Sequence, residues 1–165
     1  MVSDSEKARY QQQYENWIRE LGSLISQPSN PNVFSETVYT HPNGMAVGIL
    51  QLKDQSDRIV ISTKLNIPPE VQQSFSALSQ DEQLGLLNEI KYGLLQLGVQ
   101  FAFPMQDNVL QAVVVERTVF GESLTKQILF DNLYRVIDGL VFIQTKIYEK
   151  LGARVGRSSN TNVYG

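Results

Sequence analysis

Cysteine is absent and histidine occurs once among the 165 residues. Without thiols the chain has no disulfide, no sulfur nucleophile and no sulfur-ligated zinc or iron–sulfur cluster, and one imidazole leaves few routes to any other transition-metal site. Charge is sparse as well, at 19% of residues, where globular domains carry about 25%. Fourteen Lys and Arg against 17 Asp and Glu leave a net charge of −3, so no global basic field draws in phosphate backbones and no nucleic-acid partner is expected. Long apolar runs are missing too. The two most apolar stretches, 93–105 and 139–143, are interrupted well short of the roughly 18 residues that a membrane-spanning helix needs. Residues 1–10, MVSDSEKARY, hold acids and bases but no apolar core of a secretory signal, which predicts a cytoplasmic protein.

The motifs of common chemistries are equally absent. No G-x-S-x-G elbow accompanies His41, which sits in the turn-forming sequence His41-Pro42-Asn43-Gly44 and reads as a surface turn residue. The glycines Gly44, Gly48, Gly85, Gly93 and Gly98 occur singly, so neither G-x-G-x-x-G nor G-x-x-x-x-G-K-[ST] is available to cradle a phosphate. The carboxylates Glu36, Asp54, Asp57, Asp107, Glu116 and Asp138 are scattered, with no spacing that pairs them for acid–base work; most are read as solvated, and Glu116 as a strand end or cross-strand partner. No catalytic, cofactor-binding or metal-ligating residue is singled out, and the expectation is a protein that is not an enzyme.

Hydrophobic residues make up 42% of the chain, enough for one domain that buries roughly 68–70% of its unfolded surface. Ser3 and Glu6 have capping-box spacing, and Tyr10, Tyr14, Trp17, Ile18, Leu21, Leu24 and Ile25 follow at steps of three and four, which predicts a first helix reaching residue 25. The polar run 27–32, with two prolines, ends it. Residues 33–40, 45–52 and 58–66 are rich in β-branched and aromatic side chains and predict an antiparallel meander; in the third, Ile59, Ile61, Thr63 and Leu65 share one face. Pro69 opens a short helix over 70–77. Ser79 and Glu82 form a second capping box before an apolar stripe of Leu84, Leu87, Ile90, Leu94 and Leu97, closed by Gly98. Residues 99–103 and 109–120 predict two more strands joined as a hairpin. Residues 121–123 break the pattern and cap a long helix over 124–151 that ends at Gly152. The fold class is therefore α+β, in the order α-β-β-β-α-β-β-α, with a five-stranded antiparallel sheet packed against helices. A single domain over 1–152 precedes a Gly-, Ser- and Asn-rich tail over 153–165 that is expected to be mobile.

This order of elements, over about residues 6–151, resembles the type III secretion chaperone-like fold. It is similar also to the putative bacterial sensory transduction regulator family and to small cyanobacterial proteins of unknown function. The resemblance implies a non-enzymatic, usually dimeric protein that binds another polypeptide.

The long helix carries two apolar stripes. Leu129, Leu133, Val136, Leu140, Ile143 and Ile147 form one, and Phe130, Tyr134, Ile137, Val141 and Tyr148 form a second beside it. One sheet covers one stripe, so the second needs another cover. Two covers are open: the first helix, through Tyr14, Trp17 and Leu21, or a partner surface. The second stripe is accordingly the candidate partner-binding site, with a second copy of the chain as one partner and a polypeptide as another. The alternative function is a small-molecule binder or enzyme with a pocket between sheet and helices.

Overall fold

The computed structural model describes residues 2–26, 32–53 and 57–152. Helix α1 (Asp4–Arg19) starts at the expected capping box: the Ser3 hydroxyl accepts from the Glu6 N–H and the Glu6 carboxylate accepts from the Ser3 N–H at 2.9 Å. It stops six residues earlier than helical spacing predicts. Gly22 costs about 1 kcal/mol relative to alanine inside a helix, and the next four residues pair their backbone with a neighbouring strand instead. Strand β1 (Ser23–Ser26) runs antiparallel to β2 (Val33–Thr40), with Ser23 opposite Thr40 and Ser26 opposite Thr37. Of the run 27–32 read as ending the helix, residues 27–31 lie outside the described residues, as does the expected tail over 153–165.

The meander forms as expected. Strand β3 (Ala46–Leu52) pairs with β2 and with β4 (Arg58–Asn66), whose Ile59, Ile61 and Leu65 enter the core from one face. Helix α2 (Pro69–Ser76) follows, and α3 (Gln80–Leu97) begins at the capping box of Ser79 and Glu82 and ends at Gly98, whose φ of 67° is the left-handed geometry glycine adopts freely. Leu86, Ile90 and Leu94 are its buried line; Leu84, which fits the same spacing on paper, faces outward.

The strand read over 109–120 is two strands. After β5 (Gln100–Ala102), a small hairpin of β6 (Met105–Gln106) and β7 (Val109–Leu110) turns at Asp107 and Asn108, both at positive φ as a type I′ turn requires. At Gln111 the backbone N–H leaves the ladder to donate to the Pro104 carbonyl at 2.9 Å. Strand β8 (Ala112–Phe120) then runs between β4 and β5, antiparallel to both. The main sheet has the order β1-β2-β3-β4-β8-β5, six strands where five were expected, the addition being β1 at one edge. A 3-10 turn, Gly121–Ser123, leads to α4 (Lys126–Leu151), which is capped by Thr125 and not by Ser123.

The helices share one face of the sheet. Tyr10, Tyr14 and Ile18 of α1 and the first stripe of α4 join Tyr39, Val47, Ile49, Ile59, Ile61, Val113, Val115 and Val119 in one core. Helix α4 lies over β8, β4 and β3, with α3 along one flank and α1 against β1 and β2. The interleaving is close: a Cβ on Gly93 of α3 would fall inside the Phe142 ring of α4, and a Cβ on Gly121 inside the Tyr10 ring of α1.

Candidate interaction surface

Helix α4 decides which of its side chains are free. All six residues of its first stripe, Leu129, Leu133, Val136, Leu140, Ile143 and Ile147, are buried. The second stripe divides. Ile137 is buried in the core and presents nothing to a partner, because it sits only one position around the helix from Val136. Phe130 is half-buried, and the Lys126 ammonium lies 5.7 Å from its ring centroid while ion-pairing with Glu20 just beyond α1. Tyr134, Val141 and Tyr148 stay exposed, at 42%, 41% and 50%.

The first helix therefore covers less of α4 than one of the two open readings required. Tyr14 of α1 is spent on the sheet, its hydroxyl sharing a hydrogen bond of 3.1 Å with Ser35 Oγ, and burial pushes its pKa up. Tyr39 of β2, also raised by burial and by the nearby Tyr134, packs edge-on against His41 with ring centroids 6.3 Å apart. His41 is half-buried, and its Nδ1 accepts from the Asn43 N–H at 3.3 Å, a turn role as expected.

Seven residues separate Tyr134 from Val141 and seven more reach Tyr148, so the three lie nearly in line along the outer side of α4, with Val141 at the edge of the cleft that α4 shares with α3. That row is symmetric about Val141. An antiparallel α4 from a second copy, crossing at Val141, would set each Tyr134 beside the other copy's Tyr148.

The clefts among the described residues include two small-molecule candidates. One, of about 430 Å³, lies between α3 and α4 over Gly93 and Phe142, with Asp138 as its one acid. The other, of about 640 Å³, lies beside α2 and β7 with Glu70 as its one acid. The groups with displaced titration, Glu6, Tyr14, Glu36, Tyr39, Glu82 and Lys146, line neither. Among the described residues no group of three or more His, Asp or Glu could hold a metal ion, and no helix is long and apolar enough to cross a membrane.

The scattered carboxylates are not all solvated. Asp107 and Asp138 are exposed, Asp57 and Glu116 are half-buried, and Asp54 lies outside the described residues. Glu36 is the exception: it sits on the sheet face away from the helices, only 5% exposed, and burial pushes its pKa up. Glu116 and Arg117 point to opposite faces as alternation requires. Glu116 pairs across to Ser62 and Gln100, while Arg117 Nε donates to Asn132 Oδ1 at 2.6 Å and its guanidinium reaches the Gly98 carbonyl. Arg135 donates to the Leu97 carbonyl at 2.9 Å. Two cations thus close the carbonyl end of α3, a favourable placement for positive charge that no local spacing announces.

The architecture defines a class: an α+β domain with one mixed-length antiparallel sheet, helices on a single face and a long C-terminal helix. Residues 11–147 match the family described as an uncharacterized conserved protein (DUF2299), and the chain belongs to that family. A crystal structure of an uncharacterized protein from Methanothermobacter thermautotrophicus is similar, with a TM-score of 0.80 and 25% identity over 87% of this chain and 99% of that one. The crystal structure of the ExsC–ExsE complex is a more distant likeness at the level of topology, with a TM-score of 0.48 and 15% identity over 88% of this chain and 96% of that one. No curated protein matches.

Proposed function

We propose that this chain is a non-catalytic, cytoplasmic binding protein that acts as a homodimer through the flank of α4. The observation that carries the reading is the row of Tyr134, Val141 and Tyr148, apolar, in line and exposed, on a helix whose other apolar stripe is wholly buried. Tyrosine suits such a surface because it brings a large ring with few torsions to order and a hydroxyl that tolerates water before assembly. A second copy fits the row because its residues are symmetric about Val141, as a two-fold interface requires.

A polypeptide partner has a separate place to dock. Strand β5 pairs with only Val114, Val115 and Glu116 of the nine residues of β8, so residues 117–120 lie at a sheet edge where an extended segment can add as a strand. The test of the dimer is light scattering on material leaving a sizing column. The wild type is expected at twice the chain mass of 18.6 kDa, and a folded Tyr134→Glu, Val141→Glu variant at the chain mass. A wild type that stays at the single-chain mass at high concentration refutes the reading.

A further inference from the structure

Arg117 of β8 and Arg135 of α4 reach the carbonyl end of α3 from two different elements and meet there. The Arg117 guanidinium bonds the Gly98 carbonyl, Arg135 Nη1 donates to the Leu97 carbonyl at 2.9 Å, and Asn132 Oδ1 fixes Arg117 Nε at 2.6 Å. A Cβ on Gly98 would stand 3.4 Å from Arg117 Nη1 and 3.6 Å from Arg135 Nη1, so the two cations lie no more than 7.0 Å apart. The carbonyl end of a helix offsets about half a charge, which leaves most of the two positive charges uncompensated. Among the described residues no carboxylate makes an ion pair with either arginine, although Asp131 and Asp138 flank Arg135 on the exposed side of α4. Two guanidiniums held side by side without a counter-ion form a site for an oxyanion, which their planar forks bind through paired N–H donors.

The same arginines stand at one end of a notch. Ile128, Asn132, Arg135, Gly139 and Phe142 share one side of α4 at steps of four and three. Helix α3 covers the later part of that row, where Leu94 lies against Gly139 and Gly93 against Phe142, and it ends beside Arg135. It does not reach Ile128, which stays 36% exposed. Strand β8 runs beneath, tied to the row by the bond from Arg117 to Asn132, and its residues 117–120 have a free edge there because β5 begins at Gln100, opposite Glu116. We infer that this notch takes an extended segment of an acidic polypeptide, its backbone adding to the edge of β8 and one of its carboxylates lying between Arg117 and Arg135. The inference rests on the reading of 117–120 as an edge where a polypeptide docks, and it supplies the chemistry of that polypeptide. Along the line of β5, a residue set opposite Val119 points to the helix side of the sheet and stands diagonally from Arg117 at roughly 7–8 Å, a gap that a glutamate and a long arginine side chain close together. Its neighbour opposite Phe120 points to the other face, where Phe120 is 49% exposed and favours an apolar side chain. The unpaired backbone groups of the edge make a polypeptide the source of the carboxylate, since a free anion gains nothing from them.

A display library of random segments about seven residues long, panned on the full chain, reads the preference directly. Segments recovered with the wild type are expected to carry Asp or Glu at one position beside an apolar residue, and an Arg135→Glu variant is expected to recover Lys or Arg at that position instead. A synthetic segment of the recovered sequence is expected to bind the wild type at least about tenfold more tightly than its counterpart with the acid replaced by the amide, and Arg135→Gln is expected to lose that advantage. Arg135 is exposed and glutamine keeps an N–H donor at this position, so circular dichroism is expected to show Arg135→Gln folded even where the charge reversal is not. Segments recovered without an acidic preference overturn the inference and leave polypeptide docking standing, whereas recovery of none overturns both. An acidic preference that Arg135→Gln leaves unchanged also overturns the inference. The dimer is read separately from the sizing-column mass, and none of these outcomes alters it.

Discussion

Single atoms fix several of the close approaches in this fold. A methyl group at Gly121 would occupy the space of the Tyr10 ring, and Tyr10 is itself buried between α1 and the 3-10 turn. Gly121→Ala is therefore expected to destabilise the protein by about 1–3 kcal/mol, measured by urea unfolding, with α4 still formed. Glu36 gives the opposite sign. Its folded pKa lies above the unfolded value of 4.5, so the unfolded chain loses its proton first and the carboxyl weakens the fold as pH rises through and above that range. Glu36→Gln is expected to raise the melting temperature at neutral pH, with the gain shrinking toward zero as pH falls below the unfolded value. A gain that persists unchanged into acid would contradict burial as its cause. No spacing in the sequence foretells this burial, because it depends on what lies above a sheet face and not on neighbours along the chain.

Elements that depend on short-range chemistry are the legible ones. Ser3 with Glu6 and Ser79 with Glu82 read as capping boxes, and both form, since each needs only residues three apart. Ser79→Ala is expected to cost about 1 kcal/mol in chemical denaturation, concentrated at the start of α3. The first stripe of α4 is as readable, because six apolar side chains at regular spacing leave one way to face the sheet; Leu133→Ala is expected to cost about 2–5 kcal/mol, read the same way. Strand β1 is the instructive miss. Leu24 and Ile25 extend the helical spacing of α1, and only the backbone pairing offered by β2, eleven or more positions along the chain, turns them into strand. Leu84 and Leu86 likewise both fit a helical stripe, and the packing of α3 into the common core, chiefly alongside α4, buries Leu86 and leaves Leu84 out. Within the candidate surface the same limit holds: spacing identifies Phe130, Tyr134, Ile137, Val141 and Tyr148 as a second stripe, but only tertiary packing sends Ile137 inward and leaves Tyr134, Val141 and Tyr148 out.

At the scale of the whole molecule, one face of the sheet holds the helices and the flank of α4 holds the proposed dimer contact. A two-fold axis through Val141 makes a sharper demand than a change in mass, because a residue on such an axis meets its own copy. In a chain without cysteine, Val141→Cys is then expected to form an intermolecular disulfide on mild oxidation, giving covalent dimer on a non-reducing gel. Tyr92→Cys, at a still more exposed position on α3, serves as the comparison and is expected to stay single-chain. Rapid cross-linking at position 141 and none at position 92 is the result this account predicts; cross-linking at neither, or equally slow cross-linking at both, would contradict a dimer built on the flank of α4.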